Sequence, residues 1–85
     1  MTWLEKLNAG LRSKRNIVMS QEDHFEWTYK KLLDLMEAKE MLSRTSFAVR
    51  LLDLAEDLKE TSDLIDRYKI EIGELTFIKE EEDKR

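Results

Sequence analysis

Cysteine and proline are both absent from this 85-residue chain, glycine occurs twice, and there is a single histidine. Without cysteine there is neither a disulfide framework nor a thiolate metal centre, and a cytoplasmic address is the natural expectation. A lone histidine, His24, excludes multi-histidine metal sites and leaves acid-base chemistry without a visible partner. Phosphate-cradling loops and turn-rich sheet folds lack their usual glycine and proline. Long apolar runs are missing too. None approaches the ~20 residues that span a bilayer, and Trp3 and Leu4 precede the basic cluster, the reverse of a secretory signal. No cofactor is implied.

Charge is abundant. Residues of the Asp, Glu, Lys and Arg types make up 40% of the chain, and 19 acids against 15 bases leave a net charge of −4. Such a composition suits long solvated helices, so function is expected on helix surfaces. An acidic chain is not built as a general nucleic-acid binder, because phosphate contacts need positive surface. Arg12, Lys14 and Arg15 read as a solvated basic linker. A chain this short buries little core on its own, and oligomerisation would relieve that.

The clearest pattern runs from Phe47 through Leu51, Leu54, Leu58, Thr61, Ile65, Tyr68 and Ile72 to Leu75, in alternating steps of four and three. Two seam positions in every seven make a narrow stripe that is buried against another helix. Earlier in the chain, Phe25, Tyr29, Leu32 and Met36 repeat the spacing, with Leu33, Leu35, Met41 and Leu42 widening the stripe. Ser20 before Gln21, Glu22 and Asp23 marks a helix start. The cap-rich stretch Ser43-Arg44-Thr45-Ser46 reads as a helix-helix turn. At the N-terminus, Thr2 and Glu5 fit a capping box opening a short amphipathic helix with Trp3, Leu4, Leu7 and Leu11 on one side, ended by Gly10.

The predicted fold is therefore all-α: an antiparallel helical hairpin over residues 20–78 with its turn at 43–46. A short N-terminal helix and basic linker occupy 1–19, a charged tail occupies 79–85, and the hairpin dimerises into a helical bundle. A turn near Thr45 pairs Phe25 with Ile65, Tyr29 with Thr61, Leu32 with Leu58 and Met36 with Leu54. One unbroken coiled-coil helix from Ser20 to Leu75 is the alternative.

Function then rests on surfaces. With Phe25, Tyr29 and Leu32 inward, Trp27 points away from the seam, flanked by His24, Lys30 and Lys31. An aromatic amid cations is the composition of an interface anchor. The competing reading is that the N-terminal segment with Trp3 folds back to cover Trp27. Leu35, Leu42, Val49 and Leu52 lie beside or outside the seam and are expected to form the dimer interface. These features point to a non-enzymatic protein-protein interaction module. It would act as an adaptor or inhibitor that presents Trp27, His24, Lys30, Lys31 and Trp3 to a protein partner, of the kind a mobile element can carry.

One constellation suggests chemistry instead. Glu37-Ala-Lys-Glu40 and, after nineteen intervening residues, Glu60-Thr-Ser-Asp63 are followed by Met41 and Leu64. This pair resembles the E-x-x-E and E-x-x-D motifs of the MazG-type nucleotide pyrophosphohydrolases. That resemblance implies a magnesium-dependent hydrolase of nucleoside triphosphates, with these four carboxylates holding the metal. Against it, a turn near Thr45 leaves Glu60 about 15 Å along the helix from the residue facing Glu40.

Overall fold

The structure, a computed structural model, describes residues 2–84. Met1 and Arg85, the outermost residues of the expected N-terminal segment and charged tail, lie outside them. Two long helices, α1 (Trp3–Glu37) and α2 (Arg44–Asp83), pack against each other through one tight connection. Among the described residues there is no strand, and no helix is long and apolar enough to cross a membrane.

Both helices start where the sequence supplies an oxygen for the first free amides. Thr2 Oγ1 accepts from the Glu5 amide at 3.2 Å, and Ser43 Oγ accepts from the Ser46 amide at 3.1 Å. The connection is short. α1 closes at Ala38, whose amide reaches the Asp34 and Leu35 carbonyls; Lys39–Met41 form one 3-10 turn, and Leu42 is extended. The reversal thus occupies residues 38–43, several residues before the expected 43–46. Ser43 is the cap of the second arm and Arg44 to Ser46 are its first turn.

The earlier turn corrects the register. His24 meets Asp57 on one side of the seam and Lys69 meets Glu22 on the other. Facing residue numbers therefore sum to about 86 rather than 90, with helices meeting through their seams. The expected pairs of Phe25 with Ile65, Tyr29 with Thr61, Leu32 with Leu58 and Met36 with Leu54 accordingly shift by about one turn. Thr28 and Leu35 are buried in the seam while Tyr29 and Met36 stand exposed beside it. The α2 seam is as expected, with every position from Phe47 to Leu75 buried or half-buried.

No short N-terminal helix and linker are present. Helix α1 runs through Gly10 and through Arg12 to Asn16 without a break, and Gly10 has no positive φ. The reason lies in α2, whose seam continues through Tyr68, Ile72 and Leu75. A first arm beginning at Ser20 would leave that stretch facing water. Leu7, Leu11 and Val18 cover it instead, and all three are buried, Leu11 to 2% exposure. At the other end, residues 79–83 continue α2 rather than leaving it as a loose tail.

Candidate functional site

The seam is not wholly apolar. Row by row along α1, the heptad positions Leu7, Lys14, Gln21, Thr28 and Leu35 carry polar groups in their middle, and α2 places Thr61 and Tyr68 in its own seam. Polar groups taken from water must be paired, and α2 supplies the partner. Asp57 sits one helical step off its seam, where His24 and Thr28, four apart on one face of α1, converge on it.

The His24 Nε2 lies 3.1 and 3.0 Å from the two Asp57 carboxylate oxygens. Those oxygens only accept, so Nε2 carries the proton that is shared between them. Thr28 Oγ1 donates to Asp57 Oδ2 at 3.1 Å, and Thr61 Oγ1 to Oδ1 at 3.4 Å. Thr28 is fully buried and Thr61 nearly so, while Asp57 and His24 keep one side toward solvent. Among the described residues, no buried side-chain nitrogen or oxygen lacks a hydrogen-bond partner. The His24 hydrogen bond, joined by Thr28, the histidine charge and Thr61, holds the Asp57 carboxyl below its ordinary value of 3.8; partial burial opposes the shift.

Trp27 grows out of this cluster. Its indole stacks on His24 with ring centroids 5.8 Å apart and planes inclined by 27°, and the Lys31 ammonium lies 4.3 Å from the ring centroid. Such a cation over an exposed aromatic face contributes about 0.5–1 kcal/mol. Trp27 nevertheless remains 55% exposed. Beyond Lys31, toward the turn, opens a hollow of about 490 Å³ with Leu35, Leu42 and Leu54 in its lining, charged residues Lys31, Asp34, Arg50 and Asp53 around them, and Met41, 88% exposed. On the other side of His24, Gln21, Glu60 and Leu64 help line a second hollow of about 340 Å³.

The structure thus gathers His24, Trp27 and Lys31 on one face, with Lys30 exposed on its outer flank. Trp3 is exposed near the opposite end of α1, about 36 Å away along the helix at 1.5 Å per residue. Because α1 is continuous, the N-terminal segment does not fold back over Trp27. Of the four residues expected at a dimer interface, Leu35 is buried inside the hairpin at 7% exposure and Leu42 lines the hollow by the turn. Val49 and Leu52 are exposed on α2.

Sequence reasoning missed Asp57. The residue lies off the seam in an acid-rich chain, and a turn near Thr45 would place His24 opposite residue 66. With the correct register the signal is plain: rows of seven through His24 and Lys31 on α1 and through Arg50, Asp57 and Leu64 on α2 run side by side.

The four MazG-like carboxylates are kept apart. Glu37 and Glu40 lie at the turn, Glu60 lines the second hollow, and Asp63 pairs with Lys59 at 3.7 Å. Glu60 stands about 20 Å along α2 from the position facing Glu40. No group of three or more His, Cys, Asp or Glu among the described residues is arranged to hold a metal ion. A scan of protein-family models and searches of curated proteins and of solved structures found no match to the chain.

Proposed function

We propose that the protein is a non-enzymatic interaction module, an adaptor or inhibitor that docks a partner protein onto the Trp27 face and works as a homodimer. The observation that carries this reading is the state of Trp27. The ring is held on two sides by His24 and Lys31, yet the residue leaves more than half its surface to water. An aromatic fixed before binding loses little conformational freedom on association, which is why such residues anchor interfaces. The adjoining hollow offers apolar surface beneath charges of both signs, the arrangement of an interface centre with a polar rim. Lys30 and Lys31 supply the cationic flank.

The test compares partner capture by the tagged protein with capture by Trp27→Ala, read by mass spectrometry alongside far-ultraviolet circular dichroism. The expected result is a stoichiometric partner that is lost from the variant while helicity is unchanged. Equal recovery of that partner by a folded Trp27→Ala would remove Trp27 from the binding surface.

A further inference from the structure

We infer that the homodimer forms through the face opposite Trp27, with two copies side by side, their turns together and a two-fold axis along the rod. This rests on the proposed dimeric state and adds its surface and its arrangement.

Glu22 and His24 point about 200° apart on α1. The Lys69–Glu22 contact at 3.5 Å therefore marks the side of the hairpin away from the Asp57 cluster. Rows of seven extend from that contact toward the turn: Tyr29 and Met36 on α1, and Ser62, Ala55 and Ala48 on α2. Leu33 and Leu52 flank the rows on outer shoulders whose other members are charged, Glu26 and Glu40 on the α1 side and Lys59 and Asp66 on the α2 side. Tyr29, Leu33, Met36 and Leu52 are each about half exposed, and Ala48 and Ala55 are exposed. The face is large and apolar on its α1 half, small on its α2 half, and free of acids and bases along both rows from Tyr29 to the turn.

That asymmetry selects the occupant and its orientation. An axis along the rod places α1 of one copy over α2 of the other at the same height. Tyr29 then meets Ser62 and Met36 meets Ala55, large side chains entering space left by small ones, while Glu22 meets Lys69, acid on base. The opposite orientation stacks α1 on α1 and α2 on α2, so an axis centred on the Tyr29–Met36 stretch sets bulk against bulk and small against small.

The area agrees. The chain exposes 6789 Å², against about 5,300 Å² for a compact monomer of 10.2 kDa. Contact along the whole rod, 63 by 16 Å, offers about 1,000 Å², in the range that one partner of a stable dimer covers; the uncharged rows from Tyr29 to the turn, about 18 Å long at 1.5 Å per residue, make up roughly a third of it. Both Trp27 surfaces remain outside, so the dimer presents two docking faces pointing apart.

Sedimentation equilibrium of the full chain, followed by cysteine cross-linking, tests this. The expected mass is twice 10.2 kDa. Ala55→Arg weakens association ~10-fold or more with helicity retained, and Trp27→Ala leaves the dimer intact. Because the chain has no cysteine, mixing separately made Met36→Cys and Ala55→Cys proteins under mild oxidation should yield the mixed disulfide. A monomeric mass up to about 0.1 mM would overturn the dimer itself. A dimer whose Met36→Cys and Ala55→Cys chains join only to their own kind, or one that Trp27→Ala dissociates, would overturn this face and arrangement alone.

Discussion

Asp57 accepts hydrogen bonds from three side chains, and all three favour its charged form. The consequence has a definite sign. A carboxyl whose folded-state value is depressed contributes stability that is fully present above the unfolded value, near 3.8, and is lost as pH falls through the folded value. Urea midpoints of the native chain should therefore decline as pH drops from about 5 toward 2, and Asp57→Asn should flatten that decline. An identical slope in the variant would show that the cluster does not couple to folding. At this scale the Trp27 face was legible, because His24, Trp27 and Lys31 follow helical spacing whatever the register. Asp57, Thr28 and Thr61 were not legible as one unit, since their meeting depends on where the chain turns.

Within the helices, the α2 seam could be read residue by residue, and so could the Thr2 cap. The end of α1 and the role of Gly10 could not. Met41 and Leu42 extend the apolar stripe past the last helical residue, and neither glycine nor proline marks the stop. Gly10 carries the opposite ambiguity, since glycine both ends helices and is tolerated inside them when packing requires continuity. The structure decides for continuity, with no positive φ at Gly10 and nothing within 4 Å of an added Cβ. Gly10→Ala should then stabilise the chain by about 0.5–1 kcal/mol in chemical denaturation. A left-handed glycine at a helix end would give the reverse sign.

The whole molecule is a rod. Its radius of gyration is 19.0 Å, where a compact chain of this length would have about 12 Å. Small-angle scattering should therefore show twice the monomer mass with a maximum dimension still near 63 Å, because copies packed side by side add width and not length. A particle twice as long would mean that copies associate end to end. The single turn also orders events in time. Thr28 and Asp57 are 29 residues apart, and Lys14, whose ammonium donates to the Glu71 carboxylate at 2.7 Å, is 57 residues from it, so contacts close progressively longer loops away from the turn. Each doubling of loop length costs about 0.6 kcal/mol of closure entropy. Zipping is thus expected to proceed from Ser43 toward the chain ends, and hydrogen exchange should show backbone amides near Leu7 and Leu75 exchanging with solvent before those around Thr28 and Thr61.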